Sequence, residues 1–98
     1  MARRVLGVDP GLTRCGLAVV EVSSNREVKF VAVDTATSQA SVPLPERIQR
    51  IGLAIEKQIV DHRPDLIAVE RVFAQANLRS VMGVAQISGV VLWLAAKY

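Results

Sequence analysis

Two carboxylates occupy equivalent places in the sequence, each directly after a run of four apolar residues. Asp9 follows Val5-Leu6-Gly7-Val8, and Glu70 follows Leu66-Ile67-Ala68-Val69. Such runs predict short buried strands. If the two strands are parallel neighbours, both side chains leave the sheet at the edge where open α/β sheets bind ligands. Adjacent carboxylates repel each other unless a cation neutralises them. The pair therefore predicts binding of Mg²⁺ or Mn²⁺, which can support phosphodiester hydrolysis.

Each carboxylate also has an ordinary structural interpretation. Asp9 precedes Pro10-Gly11 and would serve as a turn residue, and Glu70 would pair with the adjacent Arg71. Residues 9–16 form a glycine-containing loop that predicts a tight turn with a glycine at positive φ, and backbone N–H groups available to a phosphate. An Asp-x-Gly loop alone is a weak signal, because sugar kinases and actin-like ATPases carry similar loops.

The elements that must position these carboxylates follow from hydrophobic periodicity. The sequence predicts three strands, a helix opened by Pro45 that ends near His62, a fourth strand and a final helix. The expected bounds are 5–8, 15–22 and 27–34 for the first three strands, a loop over 35–43, a strand over 66–69, and a helix over 78–97 with Asn77 as its N-cap. The order β-β-β-α-β-α predicts one α/β domain, a mixed sheet with helices on its faces.

The amino-acid composition excludes several classes of protein. The chain has 98 residues, of which 51% are hydrophobic, which excludes a disordered tail and fits one domain. Cys15 and His62 are the single residues of their types, which excludes a disulfide framework and a His-rich zinc site. No signal peptide is visible, so we expect a cytoplasmic protein. The uncharged stretch 80–96 is shorter than the ~20 apolar residues of a membrane span, so no membrane partner is expected.

The net charge of +3 comes from the C-terminal end of the chain. Residues 1–70 balance nine basic against nine acidic side chains, whereas residues 71–98 carry three basic side chains and no acidic one. A basic bias of this size permits a nucleic-acid partner without requiring one.

Two segments give the chain a specific resemblance. The segment LGVDPGLTRCG at residues 6–16 resembles the N-terminal signature of the RuvC family, the bacterial Holliday junction resolvases or crossover junction endodeoxyribonucleases. The segment IAVERVF at residues 67–73 resembles the second motif of that family, and its Arg-Val-Phe is most similar to actinobacterial members. Residues 81–86 and 89–90 resemble the helix that follows. The resemblance covers essentially the whole chain.

The resemblance implies a ribonuclease-H-like fold and a homodimer that uses Mg²⁺ to nick opposed strands of four-way DNA junctions in recombination and repair. It implies four active-site carboxylates, of which Asp9 matches the first and Glu70 the second, so both are expected to be catalytic and metal-binding. The other two, a fifth strand and the C-terminal helices would lie beyond residue 98. We therefore expect the 98-residue chain to be inactive by itself. The RuvA–RuvB branch-migration complex is the implied protein partner.

The same resemblance implies contacts to DNA and between subunits. Phe73 is expected to stack on a base of the junction, a contact of about 1–3 kcal/mol, although it would otherwise cover the end of the core. Apart from the resemblance, residue type and position predict phosphate contacts from Arg14 in the first loop and, near the start of the last helix, from Asn77, Arg79 and Ser80; each would otherwise be an ordinary solvated side chain. A face of small side chains on that helix is expected to form the dimer interface, with Val81, Met82, Ala85, Ser88 and Gly89.

Two other classes of protein stay open. One is a non-cleaving dimeric module that binds DNA or helps to assemble a complex. The other is an enzyme of related architecture, either a RuvX-like nuclease or an actin-like phosphotransferase. RuvX-like nucleases usually carry a Lys-Arg pair in the first loop, where this chain has Thr13-Arg14. An actin-like phosphotransferase needs a second Asp-x-Gly loop, which these 98 residues lack.

Overall fold

The computed structural model describes residues 2–70 and 78–98, and in the second range it describes side chains from Ser80 onward. Strands and helices follow one another in the predicted order. Their bounds are β1 Arg3–Asp9, β2 Arg14–Val22, β3 Val28–Thr37, α1 Leu44–His62, β4 Leu66–Val69 and α2 Leu78–Lys97. The predicted N-cap of α2, Asn77, lies outside the described residues.

The four strands form a mixed sheet in the order β3-β2-β1-β4. β2 is antiparallel to both β1 and β3, whereas β1 and β4 are parallel. α1 lies in the connection from β3 to β4 and so helps to carry the chain from one edge of the sheet to the other. The parallel register pairs Val8 with Val69, so the residues at the ends of these strands, Asp9 and Glu70, reach the same edge of the sheet.

β3 is longer than the sequence predicts. A loop is expected from residue 35 onward, but pairing with β2 continues to Thr37 and places Ala36 opposite Cys15. Ala36 is buried against the core, which explains why a segment without hydrophobic periodicity stays in the sheet. A register shift in β2 between Val19 and Val20 marks a bulge, and a bulge increases the local twist of a strand pair.

α1 begins and ends on backbone features that the sequence indicates. It starts at Leu44 with Pro45 in its first turn, where the missing N–H of proline needs no partner. It ends where Arg63 adopts a left-handed conformation with φ of 47°. The N–H of Arg63 donates to the carbonyl of Ile59 at 2.8 Å, which closes the last turn ahead of Pro64.

The core lies between the two helices and one face of the sheet. Successive residues of a strand point to opposite faces, so Leu6 and Val8 of β1 are buried under the helices. Gly52 of α1 allows the helices to approach closely, because a Cβ there would lie 3.2 Å from Cγ1 of Val90. The buried cluster consists of Leu6, Val8, Cys15, Leu17, Val19, Ala36, Ile51, Ile55, Ile59, Ile87, Val91 and Leu94.

No described part of the chain covers the opposite face of the sheet. This open face exposes large apolar side chains at its margins, including Phe30, Val33 and Leu66, and Phe30 is 72% exposed. By the alternation of the strands, Asp9 and Glu70 belong to this open face, since Val8 and Val69 before them point to the helix side.

The second helix is apolar along most of its length. Ser80–Lys97 is long and apolar enough to cross a membrane, but core helices of soluble proteins can have the same length and composition. Ile87, Val91 and Leu94 of α2 are in the core, but only 22% of the stretch is buried. Much of the surface of α2 is therefore open to a partner.

Candidate active site

The parallel pairing of β1 and β4 brings the two predicted carboxylates together. The N–H of Glu70 donates to the carbonyl of Val8 at 3.3 Å, which carries the pairing to the end of β4. The side chains of Asp9 and Glu70 lie close enough for Asp9 to shift the pKa of Glu70, and both residues are exposed at the edge of the sheet. The predicted juxtaposition is present, while the roles of the two residues in catalysis and metal binding stay predictions.

Hydrogen bonding with the Asp9 side chain raises the pKa of Glu70 above its ordinary value, and the charge of Asp9 and desolvation raise this pKa further. The neighbouring Asp9 therefore makes the charged form of Glu70 less favourable than in an isolated glutamate, and a bound cation would offset this effect. Oxygen donors of this kind fit Mg²⁺. Within residues 2–70 and 78–98, no group of three or more Asp, Glu, His or Cys side chains is gathered in a way that could hold a metal ion.

A groove of about 600 Å³ extends from the carboxylate pair over the open face of the sheet. Several residues that line this groove have small side chains, which leave the space above them open. A Cβ at position 16 would lie 3.4 Å from the Cβ of Asp9, so Gly16 leaves the space beside this carboxylate free. The groove is lined by Gly7, Val8, Asp9, Gly16, Leu17, Ala18, Val33, Asp34, Thr35, Ala68, Val69 and Glu70. The carboxylates thus open onto a broad surface rather than into a closed pocket.

The loop between β1 and β2, residues 10–13, is held by contacts from distant parts of the chain. Ser38, which is buried, donates from Oγ to the carbonyl of Leu12 at 2.5 Å and from its N–H to the carbonyl of Thr13 at 3.1 Å. Arg47 of α1 donates from Nε to Oγ of Ser38 and from Nη2 to Oγ1 of Thr13, both at 3.0 Å. No local sequence pattern marks Ser38 or Arg47, because their importance arises only when the chain is folded.

Gly11 is needed in this loop for a reason other than the one the sequence predicts. A positive φ is expected, but no glycine within the described residues has one. A Cβ on Gly11 would instead lie 2.1 Å from the carbonyl oxygen of Arg14. The clash would be with backbone rather than with a flexible side chain. Position 11 must therefore be glycine, because the backbone of Arg14 lies directly against it.

Cys15 has a structural role. It is buried in β2 on the helix side of the sheet. Burial raises the pKa of its thiol, a hydrogen bond with the backbone of Gly11 opposes this rise, and the charge of Asp9 adds to it. The thiol therefore stays protonated and unreactive at neutral pH.

The predicted DNA-contacting residues are only partly described. Phe73 and Asn77 lie outside the described residues, and so does the side chain of Arg79. Arg14 and Ser80 are exposed, and both line a second cavity, of about 440 Å³, beside the loop between β1 and β2. Contact of these residues with DNA stays a prediction.

The predicted interface residues lie on α2 with different exposures. Val81 and Ser88 are half-buried, and the hydroxyl of Ser88 has no hydrogen-bond partner among the described residues. The space above Gly89 is open, since a Cβ there would meet nothing within 4 Å. An exposed stripe with alternating spacings of three and four residues runs along the helix, the α2 stripe, which consists of Met82, Ala85, Gly89, Leu92 and Ala96.

The chain forms a ribonuclease-H-like α/β domain, as its strand order, the parallel pair β1–β4 and the helices packed on the sheet show. Two carboxylates lie at the ends of neighbouring strands of this domain. The chain belongs to the RuvC family, because the family model described as crossover junction endodeoxyribonuclease RuvC matches residues 5–98. This membership confirms the resemblance and sets aside a RuvX-like nuclease and an actin-like phosphotransferase.

Relatives and solved structures agree with this assignment. The crossover junction endodeoxyribonucleases RuvC of Renibacterium salmoninarum and Paenarthrobacter aurescens are 53% and 52% identical to this chain over 94 and 97 residues, or 96% and 99% of it. The matches cover 49% and 51% of those relatives, so the chain spans about half of their length. The structure of T. thermophilus RuvC in complex with Holliday junction substrate has a TM-score of 0.88 and 28% identity, over 97% of this chain and 58% of that one.

Proposed function

We propose that this chain carries half of the active site of a Holliday junction resolvase, an Mg²⁺-dependent endonuclease that nicks opposed strands of four-way DNA junctions. The observation that carries the proposal is the pairing of Asp9 with Glu70 at the ends of two parallel strands in a member of the RuvC family. The matching T. thermophilus protein is bound to a Holliday junction substrate, which supports a junction as the substrate here.

Asp9 and Glu70 are the residues that would hold the metal, Mg²⁺ or its substitute Mn²⁺. Both supply oxygen donors, and a bound cation would offset the negative charge of Asp9, which contributes to the raised pKa of Glu70. A divalent ion, when bound, supplies activation of water and stabilisation of the leaving oxygen in phosphodiester hydrolysis. The chain itself supplies the fixed spacing of the two carboxylates and, through Gly16, the free space beside Asp9 that a DNA strand needs.

Two carboxylates without DNA make a weak metal site, because Mg²⁺ keeps several waters and usually takes further ligands from substrate phosphates. We place the remaining active-site carboxylates in the part of the relatives that this chain does not span. The open face of the sheet offers room for that part to pack beside Asp9 and Glu70. On its own the 98-residue chain would act as a non-cleaving DNA-binding module.

Contacts to the junction are assigned to the aromatic, basic and polar residues that the sequence singles out. Phe73 would stack on a base, because a base stacked on an aromatic ring contributes about 1–3 kcal/mol. Backbone phosphates would be bound by Arg14, Asn77, Arg79 and Ser80. The exposure of Arg14 and Ser80 beside the same loop supports this assignment.

A homodimer through α2 would bring two such sites to one junction. The α2 stripe is apolar, exposed and built around the small residues Ala85 and Gly89, so two copies related by a two-fold axis can approach closely. Val81 and Ser88 flank the stripe and would be covered at its edge. A two-fold arrangement of this kind suits symmetric nicking of opposed strands. The cytoplasm and the RuvA–RuvB complex are the corresponding location and protein partner.

A chimera tests the proposed activity. Residues 1–98 are joined to the second half of the Renibacterium salmoninarum relative and given a labelled four-way junction with Mg²⁺, and we expect paired nicks. The chimera with Glu70→Gln should lose at least about 100-fold in nicking rate and keep most of its junction affinity, because affinity comes mainly from phosphate contacts.

The matched control is Asp34→Asn, which removes another exposed carboxylate that lines the same groove. The control chimera should nick at the original rate. Equal rates for Glu70→Gln and the unaltered chimera, or a chimera that does not distinguish a four-way junction from duplex DNA, would show that the assignment is wrong.

A further inference from the structure

The cavity beside the loop between β1 and β2 has a lining suited to an anion. Arg14 and Arg47 contribute two guanidinium groups, and Thr13 and Ser80 contribute two hydroxyls. None of the described residues that line it is acidic. The lining is completed by backbone and small apolar side chains at Gly11, Leu12, Ala40, Gly83 and Val84. At about 440 Å³ the cavity has room for a phosphate group with its flanking atoms.

Arg47 is oriented in this cavity by hydroxyl groups and not by a carboxylate. Its Nε donates to Oγ of Ser38 and its Nη2 to Oγ1 of Thr13, both at 3.0 Å. Ser38 is only 4% exposed and is fixed by its own bond to the carbonyl of Leu12. The ion pairs found among the described residues do not include Arg47, so its positive charge is not compensated there. A guanidinium has five N–H donors, which leaves donors of Arg47 for a ligand.

We propose that this cavity binds one phosphodiester group of the DNA backbone, with Arg47 as its central ligand and Arg14 as a second cation. The proposal rests on the proposed function and adds Arg47 to it. Arginine is well suited to phosphate because its planar donors can engage two oxygens at once. The orienting bonds to Ser38 and Thr13 hold the guanidinium in place before DNA binds, which lowers the entropic cost of the contact.

The cavity lies beside the loop that follows Asp9, so a phosphate bound there would position the DNA strand relative to the carboxylate pair. The loop that contributes Thr13 to the cavity begins directly after Asp9. A phosphate held by Arg47 would therefore fix the DNA strand to the same loop that follows the catalytic carboxylate. Phosphate contacts set the position of a protein on DNA without reading its sequence, so this subsite would align the strand with the carboxylate pair.

The direct test is a titration of the isotope-labelled chain with dimethyl phosphate, a minimal phosphodiester, followed by NMR at constant ionic strength. Saturable shifts are expected at the amides of residues 11–14 and at Nε–H of Arg47. They should be lost in Arg47→Gln and kept in Arg50→Gln, which removes an equal charge from an exposed position one turn further along α1. Non-saturable shifts, or equal shifts in the two variants, would overturn the proposal.

A third variant and a second ligand complete this titration. Arg47→Lys retains the charge without the planar fork and should bind dimethyl phosphate more weakly but saturably, which separates ligand binding from loss of the loop contacts. Inorganic phosphate replaces the diester in a parallel titration. Saturable binding of inorganic phosphate combined with no binding of dimethyl phosphate would identify a site for free phosphate and overturn the assignment to DNA backbone.

Junction affinity measured at several salt concentrations gives an independent readout. Arg47→Gln should weaken binding about 5–10-fold and reduce the slope of log affinity against log salt by about 0.9, the value for one phosphate contact. Arg50→Gln should leave the slope unchanged. If the unaltered chain did not bind a junction, the proposed function would fail, whereas the dimethyl phosphate titration would still decide whether the cavity is a phosphodiester site.

Discussion

At the scale of single residues, Asp9 and Glu70 show how the fold holds two groups of like charge together. The parallel pairing of β1 and β4 fixes their backbones side by side, and the resulting contact raises the pKa of Glu70. A carboxylate whose pKa is shifted by a specific charged neighbour is a candidate for a functional site. The sequence predicts this pair because each carboxylate ends an apolar run.

Glu70→Gln should make the metal-free chain more resistant to heat at neutral pH, by a few degrees. A group whose pKa is raised in the folded state stabilises the fold at acidic pH, and this stabilisation is lost as the pH rises through the raised pKa. Replacing Glu70 by an amide removes the repulsion from Asp9. The gain in melting temperature should therefore disappear at a pH below the ordinary carboxyl range, where Glu70 of the unaltered chain is protonated.

Thermal unfolding over a pH series, with and without Mg²⁺, measures this effect. Added Mg²⁺ should raise the melting temperature of the unaltered chain and leave Glu70→Gln nearly unchanged. Asp34→Asn serves as the control and should show no such gain at neutral pH. A Glu70→Gln variant that melts below the unaltered chain at neutral pH would contradict the account of the pair.

At the scale of elements, local patterns predict the order of the strands and helices but not the contacts between them. Pro45 at the start of α1 marks that helix from sequence alone, and so does an apolar stripe at spacings of three and four residues, made by Ile48, Ile51, Ile55 and Ile59. The end of β3 is different, because Ala36 is kept in the sheet by its pairing with Cys15. The contacts of Arg47 with Ser38 and Thr13 likewise join separate parts of the chain. Hydrophobic periodicity in the sequence does not reveal contacts between distant parts of the chain.

Two glycines of α2 provide a matched test of how this helix packs. A Cβ at Gly83, which is buried, would lie 3.0 Å from the Cβ of Leu12, so Gly83→Ala should destabilise the chain by about 1–3 kcal/mol through overpacking. The same change at Gly89 meets open space and should stabilise the helix by about 0.5–1 kcal/mol. Urea unfolding of dilute protein measures both. A Gly83→Ala variant as stable as Gly89→Ala would show that α2 does not pack on this loop.

At the scale of the whole molecule, two apolar surfaces are open. One is the face of the sheet that carries the carboxylates, and the other is the α2 stripe. Extended exposed apolar surface usually marks an interaction site. The relatives are about twice as long as this chain, so we assign the sheet face to the part of those proteins that is not represented here and the α2 stripe to a second copy of the chain.

The chain should therefore associate into dimers or larger species at micromolar concentration. Ala85→Glu should give monomer or insoluble protein, because two like charges would be buried near each other across the two-fold axis. Gln39→Glu adds the same charge at an exposed loop position and should leave association unchanged. Sedimentation velocity distinguishes these states. A clean monomer of the unaltered chain at high micromolar concentration, or unchanged association of soluble Ala85→Glu, would argue against the α2 interface.

The proposed metal site is tested most directly by locating Mn²⁺ on the chain through paramagnetic broadening of the NMR signals of the protein. We predict weak, millimolar binding with broadening concentrated at the amides around the carboxylate pair, namely Val8, Gly16, Ala68 and Glu70, and loss of this broadening in Asp9→Asn. Tight binding at another position, or broadening around Glu70 that persists in Asp9→Asn, would contradict the assignment of Asp9 and Glu70 as a shared metal site.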